Sequence, residues 1–546
     1  MTTLRPRFAL RLLAALALCV PLTACDDKAK SSVSKPGYAR AEGSRPVTAG
    51  TQVAQAYQPD PNRPAPAPTP VPDAHTENYQ HFVENSYVAA AKEPRSTFSA
   101  SVDTAAYSII RTKIQGGQLP PKEAVRVADM LNYFDYDYPR PQGNAPVAAT
   151  LEMAPCPWNA QHQLLRIALA AKKYHPSEMP ARNLVFLIDT SGSMDAPNRL
   201  PLVKQALGLL VDTLSPQDRV SIVTYAGDAS LRLQPTPGDQ KGRINAAVHG
   251  LSAWGSTNGG GGIEMAYAQA AKSFIADGVN RVILATDGDF NVGVSSEGAL
   301  VRMIEEKRKT GVYLTILGFG MNNLQDAKLE QLAHHGNGHY AYIDTIDEAR
   351  KLFADQGASL VTVAKDVKLQ VEFNHTKVNA YRLIGYENRV LKNEDFRDDG
   401  KDAGDMGSGH TVTALYEIVP VGVEVPIQDA GDLKYQGTRP DTSAAKSGEW
   451  LTFRMRYKDP DSEAATELAF PLGKDGLRKS GSIDFRFAAA VAGFGLLLRD
   501  SEYKGAANWA DVKSWATNAV GEDRRGLRRD FLGLLEQSER LTKKAD

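Results

Sequence analysis

The strongest pattern in the chain is a series of short apolar runs, each followed by polar residues and then by a helix-like segment. Leu184–Ile188 is an unbroken apolar run, which is typical of a strand buried on both faces. Val282–Thr286 and Val312–Gly318 are predicted as further strands, and Arg199–Leu214 and Gly262–Phe274 have the periodicity of helices. Alternation of this kind over residues 181–360 predicts an α/β fold with a doubly wound, mainly parallel sheet.

The residues on either side of this stretch follow a different pattern. Before it, the chain predicts a strand at Phe98–Asp103 that ends in a helix cap, a helix to Lys113 and a second helix opening at Pro120. Further strands are predicted at Gln163–Ala171, Val367–Phe373, Thr411–Pro420 and Glu449–Tyr457. Residues 480–546 are mainly helical in pattern, and the apolar run Phe485–Leu498 is too short to span a bilayer. We therefore expect the α/β sheet to be inserted between β-rich flanking segments that pack together, with a helical C-terminal region.

The first 75 residues have the composition of a leader and a tether. Basic residues precede the apolar run Leu12–Val20, as in a secretory signal. Leu22-Thr23-Ala24-Cys25 resembles the bacterial lipobox, which implies a lipid on Cys25. Asp26 after the cysteine leaves inner-membrane retention open. The proline-rich run Gln58–Pro72 predicts an extended or disordered tether.

Polar side chains follow the first buried strand directly. Asp189, Ser191 and Ser193 occupy alternate positions, so in an extended segment their oxygens would point the same way. Ligand sites of α/β sheets lie beyond the carboxyl ends of the strands, which is where this loop belongs. Oxygen donors without Cys or His suit Mg²⁺, Mn²⁺ or Ca²⁺ rather than zinc. By itself the motif is weak, because aspartate and serine are common in turns.

Two further segments strengthen the prediction of a metal site. Arg281–Gly288 is a second strand that ends in Asp287 and Gly288, and the glycine-rich loop Trp254–Gly262 presents Thr257 ahead of a helix. Together the three segments resemble a von Willebrand factor type A domain. That resemblance implies a metal-ion-dependent adhesion site formed by Asp189, Ser191, Ser193, Thr257 and Asp287. It also implies a protein ligand that offers an acidic side chain to the metal.

The flanking segments resemble the bacterial YfbK-like family. The resemblance is carried by Val102–Ser108, Ala124–Phe134, Ile384–Arg389 and Gly409–Glu417, so it extends over most of the chain after the tether. The segments we predict are a signal peptide (1–24), a lipidated proline-rich tether (25–75), an N-terminal module (76–180), the type A domain with its metal site (181–360), a β-rich module (361–475) and a helical C-terminal region (476–546).

Composition excludes some functions and leaves others open. The formal net charge of −1 over 546 residues gives no basic footprint for nucleic acid. Cys156 would be the lone cysteine after processing, so it is interpreted as a small buried apolar residue. His334, His335 and His339 do not have the spacing of a zinc motif. Asp195 and Asp289 lie close to the metal motif and are interpreted as solvated loop carboxylates.

The function predicted from the sequence is metal-dependent binding of a protein partner at the cell envelope. The protein would be lipid-anchored to a membrane facing the periplasm or to the cell surface, and it would not be an enzyme. Two alternatives remain open. One is a scaffold subunit for an AAA-type ATPase, which the signal peptide disfavours. The other is a metal-dependent hydrolase, which lacks the usual nucleophile and phosphate-loop motifs.

Overall fold

The computed structural model describes residues 77–255, 259–288, 297–355, 357–427 and 442–545. Within these ranges the strands are β1 Val88–Ala89, β2 Arg95–Ser99, β3 Val147–Cys156, β4 Asn159–Ala171, β5 Arg182–Asp189, β6 Arg219–Tyr225, β7 Ala229–Pro237, β8 Val279–Thr286, β9 Val312–Gly318, β10 Tyr340–Tyr342, β11 Thr362–Phe373, β12 Val378–Ile384, β13 Val390–Leu391, β14 Gly404–Gly407, β15 Thr411–Pro420, β16 Leu451–Lys458 and β17 Ala465–Leu472. The helices are α1 Ala105–Gln115, α2 Val127–Tyr133, α3 Leu200–Asp212, α4 Lys241–His249, α5 Gly259–Lys272, α6 Glu297–Arg308, α7 Asp326–His335, α8 Ile346–Arg350, α9 Ile483–Arg499, α10 Trp509–Thr517 and α11 Leu527–Ala545.

The middle of the chain forms the predicted doubly wound sheet. Its strand order is β10-β9-β8-β5-β6-β7, and every neighbouring pair is parallel except β6 and β7. All residues of β5 are buried, because side chains that alternate along it enter two different cores. Phe186 and Ile188 pack with α3, α4 and α8, whereas Val185 and Leu187 pack with α5, α6 and α7. The sheet is therefore covered by helices on both faces, as its apolar runs require.

Strands from both sides of this sheet in the sequence pair with one another. The first flanking sheet has the order β1-β12-β15-β4-β3 and the second has the order β13-β2-β11-β16-β17, with β14 also on β11. The antiparallel pairs β4–β15 and β2–β11 each join a strand before residue 181 to one after residue 360. The predicted fold class, an α/β sheet inserted between β-rich flanking segments with a helical C-terminal region, is confirmed.

The first flanking sheet is buried on both faces. Leu165, Ile167 and Leu169 of β4 face the second flanking sheet, where Leu369 and Val371 of β11 meet them. The opposite face of β4 is covered by α1, α2 and the C-terminal helices α9–α11. The aromatic side chains 133, 134, 136 and 138 belong to this helical core and are buried. Cys156 lies in the same core and is buried, as expected from the sequence. No helix in the described ranges is both long enough and apolar enough to cross a membrane.

The structure corrects several details of the sequence-based elements. The strand expected to run to Asp103 ends at Ser99, and Asp103 does not cap α1; its carboxylate accepts the Tyr340 N–H at 2.8 Å instead. The second helix begins at Val127 rather than at Pro120, after a 3₁₀ turn at Lys122–Ala124. For β7 the sequence pattern predicts only a short strand, Ser230–Leu233, whereas the strand covers Ala229–Pro237. Strands β3, β12 and β17 have no counterpart among the predicted strands.

Candidate metal centre

The candidate site lies where the strand order of the α/β sheet reverses direction. From β5 the chain moves to β6 on one side and later to β8 on the other, so β5 stands between the two halves of the sheet. Crevices at such a switch point, beyond the carboxyl ends of the strands, are the usual ligand sites of doubly wound sheets. Asp189 is the last residue of β5, and Asp287 directly follows β8. Both side chains are fully buried.

The loop after β5 brings two hydroxyl groups together beside these acids. The Asp189 Oδ1 atom accepts the Ser191 N–H at 2.8 Å, and the Ser191 and Ser193 Oγ atoms lie 3.1 Å apart. The loop is extended only as far as Ser191; residues Gly192–Asp195 form a 3₁₀ turn. Alternation along an extended segment is therefore not the reason that the hydroxyls converge, because the turn brings Ser193 back toward Ser191.

Burial disfavours the ionised form of the Asp189 carboxylate. Desolvation raises the pKa of Asp189 to about 6, the side chain and backbone of Ser191 counteract this by hydrogen bonding, and the charge of Asp287 adds to the rise. The Thr286 hydroxyl donates to Asp189 Oδ2 at 3.4 Å. A buried carboxylate with a raised pKa and an acidic neighbour is stabilised by a nearby cation.

Arg199 provides one such cation and was not anticipated as a site residue. Its Nη1 atom lies 2.9 Å from Asp287 Oδ2 and donates to the Ser193 carbonyl oxygen at 2.6 Å. Its Nη2 atom donates to the Met321 carbonyl oxygen and to Asn323 Oδ1, both at 3.0 Å. Arg199 therefore connects the two acid-bearing loops to the loop after β9. The one sequence feature that could have drawn attention to Arg199 is that no other cation lies between Asp195 and Lys204.

The remaining residues predicted near the site differ in whether the structure describes them. Asp195 is exposed at the end of the 3₁₀ turn. Thr257, Asp289 and Cys25 lie outside the described residues, so the structure gives no location for the third loop's hydroxyl or for the lipidation site. The hydroxyl of Ser193 is on an exposed residue and Ser191 is buried, so the described part of the site opens toward solvent on the Ser193 side.

The three histidines considered for a zinc motif, His334, His335 and His339, have separate partners. The Nδ1 atom of His334 lies 2.6 Å from Arg389 Nη1, and His335 pairs with Glu305 at 2.9 Å. The ring of His339 packs edge-on against His410, with ring centroids 5.9 Å apart. Among the described residues, no group of three or more His, Cys, Asp or Glu side chains is arranged to hold a metal.

The donors at the switch point suit a hard divalent cation. Two carboxylates supply charge and two neutral hydroxyls supply further oxygens, which is the ligand chemistry of Mg²⁺, Mn²⁺ or Ca²⁺. The buried carboxylates fit a cation because burial disfavours their negative charge, as the raised pKa of Asp189 indicates. Among the described residues, those that would hold the ion are Asp189, Ser191, Ser193 and Asp287.

Comparison with known proteins agrees with this fold. The family model for "von Willebrand factor type A domain" matches residues 183–355, the model for "von Willebrand factor" matches residues 73–166, and the model for "Uncharacterized protein YfbK, C-terminal" matches residues 358–541. "Uncharacterized protein YfbK" of Escherichia coli (strain K12) is 44% identical over 480 residues, which are 86% of this chain and 82% of that protein. The chain belongs to the YfbK family.

More distant relatives match a smaller share of this YfbK-family chain at lower identity. Human "Inter-alpha-trypsin inhibitor heavy chain H4" is 29% identical over 165 residues, which are 29% of this chain and 18% of that protein. Among solved structures, "von Willebrand factor type A from Catenulispora acidiphila" is similar with a TM-score of 0.40 and 17% identity, over 72% of this chain and 91% of that chain. Type A domains commonly mediate protein–protein interactions and often bind a divalent metal.

Proposed function

We propose that this protein binds a protein partner through a divalent metal held by Asp189, Ser191, Ser193, Thr257 and Asp287. The observation that supports the proposal best is the buried pair of acids at the switch point, with hydroxyl oxygens 3.1 Å apart beside it. Mg²⁺ prefers six oxygen ligands and keeps water where the protein supplies none. An acidic side chain of a partner would replace one of those waters.

The charges around the site favour an acidic ligand. The negative charges of Asp189 and Asp287 are partly neutralised by Arg199, which lies 2.9 Å from Asp287. A bound dication would therefore leave the centre with a net positive charge rather than a neutral one. A positive centre at the carboxyl ends of the strands, partly shielded from water by the protein, attracts a carboxylate more strongly than a neutral centre does. The proposed role is binding rather than catalysis: both acids would be metal ligands, and Asp287 also pairs with Arg199.

Metal binding is tested directly by calorimetry on the full-length protein in mild detergent. We expect Mg²⁺ or Mn²⁺ to bind the wild type and to bind Asp189→Asn at least about 100-fold more weakly, because a charged ligand is lost. Asp195→Asn is the matched control, since it removes an exposed carboxylate from the same loop. Equal affinities of the wild type and Asp189→Asn would refute the proposed site.

Partner binding is tested by capture from envelope extracts, followed by reconstitution with the purified candidate. Support requires that binding is lost in EDTA and in Asp189→Asn, that Asp195→Asn retains it, and that one acidic residue of the partner is essential. Binding that persists in EDTA would show that this site does not mediate the association.

We further propose that Cys25 carries lipid and anchors the protein in the cell envelope by a tether. The support is the signal-like N-terminus and the segment Leu22-Thr23-Ala24-Cys25. Metabolic labelling with an alkyne analogue of palmitate tests the proposal: the wild type should be labelled in the membrane fraction and Cys25→Ser should not. Labelling of both would place the lipid elsewhere.

A further inference from the structure

An exposed tryptophan lies on a loop that is attached to the candidate metal centre. Trp254 has 69% of its surface exposed. The other large apolar side chains that are exposed within the described residues are aliphatic apart from Phe274: Val83, Leu119, Val390, Val421 and Ile483. Leaving an indole in water forgoes the burial of roughly 150–250 Å² of surface, and tryptophan is enriched at protein interfaces, where that surface is buried by a partner.

The backbone on both sides of Trp254 is fixed to the loop that bears the acid and the hydroxyls. The Trp254 N–H donates to the carbonyl oxygen of Thr190 at 2.8 Å, and the Gly192 N–H donates to the Gly255 carbonyl oxygen at 3.0 Å. Thr190 and Gly192 alternate with the proposed ligands Asp189, Ser191 and Ser193. Gly255 has φ = +90°, which allows the chain to turn at this point. The tryptophan is thus held beside the site by backbone hydrogen bonds, independently of any ligand.

We propose that the Trp254 indole is a second contact for the partner, and that it binds an apolar side chain next to the acidic residue that reaches the metal. This inference rests on the function proposed above. Backbones joined by such hydrogen bonds lie roughly 5 Å apart, and two residues of an extended peptide span roughly 7 Å. A side chain one or two positions from the metal-bound acid therefore reaches the indole.

Electrostatics selects an apolar side chain over a basic one at this contact. An exposed indole could also bind a cation on its face. With a dication bound, however, the centre beside Trp254 would carry net positive charge, because Arg199 already neutralises part of the charge of the two acids, so a lysine or arginine of the partner would be repelled. Tryptophan is among the residues that contribute most to binding energy at protein interfaces. The partner segment that fits is an Asp or Glu with an aromatic or aliphatic neighbour.

A displayed peptide library tests the inference with a defined probe. The library has one fixed Asp within a run of random positions, and full-length protein in mild detergent with Mg²⁺ is the target. We expect the selected peptides to carry an aromatic or aliphatic residue within two positions of the fixed Asp. Trp254→Ser should weaken their binding by about tenfold or more. Phe274→Ser is the matched control, because it removes an exposed aromatic side chain from the opposite edge of the sheet, between α5 and β8.

The outcomes separate this inference from the proposed function. Binding that needs Mg²⁺ and the fixed Asp, but shows no apolar preference and equal strength in Trp254→Ser, would refute the role of Trp254 and leave the metal site standing. Selected peptides that bind equally in EDTA, or no selection at all by the wild type, would refute the function and the inference with it. The heat of Mg²⁺ binding, measured in parallel, checks that each variant is folded.

Discussion

Buried carboxylates occur in two regions of the molecule, and their surroundings differ. At the switch point, Asp189 and Asp287 form a pair that has serine hydroxyls beside it and one arginine, Arg199, on its outer side. Where α7 meets the flanking segments, a second region, the acid network, combines four buried acids with two buried arginines: Asp103, Asp129, Asp326, Glu330, Arg126 and Arg389. Both regions contain more acids than guanidinium groups.

In the acid network, the arginines use the oxygen atoms of the acids. Arg126 Nε lies 3.0 Å from Asp129 Oδ2, and its Nη1 donates to Asp326. Arg389 Nη2 lies 2.5 Å from Asp103 Oδ2 and 3.6 Å from Glu330 Oε1. The network is enclosed by the packing of α7 against its neighbours. The number of acids therefore does not by itself indicate an ion site. The candidate site differs from the network in its pair of serine hydroxyls, 3.1 Å apart, and in its position at the open edge of the sheet.

The largest expected effect comes from opening the acid network. Arg126→Met leaves Asp326, which is fully buried, without its guanidinium partner. Breaking one side of a buried ion pair costs about 3–5 kcal/mol of unfolding free energy. Chemical denaturation followed by circular dichroism measures the loss. Arg350→Met, which removes an exposed pair with Asp347, is expected to stay within about 0.5 kcal/mol of wild type. Similar losses for the two variants would contradict the comparison.

Removing one charge of the Asp189–Asp287 pair should not lower the unfolding free energy, in contrast to the change in the acid network. Asp189→Asn removes a buried charge whose pKa is already raised, so in EDTA the variant should be as stable as the wild type or more stable. With Mg²⁺, the wild type alone should gain stability, because binding to the folded state shifts the unfolding equilibrium. Thermal unfolding with and without Mg²⁺ checks both statements. Marked destabilisation of the variant in EDTA would mean that the pair is a structural element like the network.

Glu330 gives a pH-dependent test of the network. Burial raises the pKa of Glu330 from 4.5 to about 7, against the pull of Arg126 and Arg389. The folded protein therefore holds a proton between pH 4.5 and 7 that the unfolded chain releases, so this contribution to stability is present below pH 4.5 and is lost as the pH rises to 7.

Glu330→Gln removes that contribution. Relative to wild type, its unfolding free energy should increase with pH by up to about 1.4 kcal/mol per pH unit between pH 4.5 and 7. Denaturation curves at several pH values, for both proteins, measure the difference. The titrating groups outside the acid network are common to the two proteins and cancel. Parallel pH profiles would show that Glu330 is already ionised across this range.

The sequence predicted the elements that have strong local patterns. The five apolar residues of Leu184–Ile188 identified β5, and the polar residues directly after it identified the loop of the candidate site. The fold class followed because apolar strands alternated with helical segments over a long stretch. In β17 the alternation is weak, since the strand lies at a sheet edge, is mostly exposed or half-buried and contains Pro471.

Side-chain contacts between residues far apart in the chain could not be predicted from the sequence. Arg199 stands ten residues after Asp189, but its guanidinium pairs with Asp287, and nothing local to α3 indicates that contact. The members of the acid network lie as far apart in the sequence as residues 103 and 389. A separation of that size does not indicate which residues are in contact. Asp103 illustrates the difference: local pattern suggested a helix cap, whereas packing assigns its oxygens to Tyr340 and Arg389.

The smallest expected effect distinguishes the two hydroxyls of the candidate site. Ser193 is exposed, so in Ser193→Ala a water can take the place of the hydroxyl at the metal, and Mg²⁺ affinity should fall by about tenfold or less. Ser191 is buried beside Asp189, where a water has less room, so Ser191→Ala should lose more. Ser252→Ala, an exposed serine two residues before Trp254, should leave the affinity unchanged. Calorimetry on the three variants gives the order. If Ser193→Ala lowered the Mg²⁺ affinity as much as Asp189→Asn does, water could not replace the Ser193 hydroxyl at the metal. The exposed side of the site would then be as restricted as its buried side, and the contrast with the enclosed acid network would not hold there.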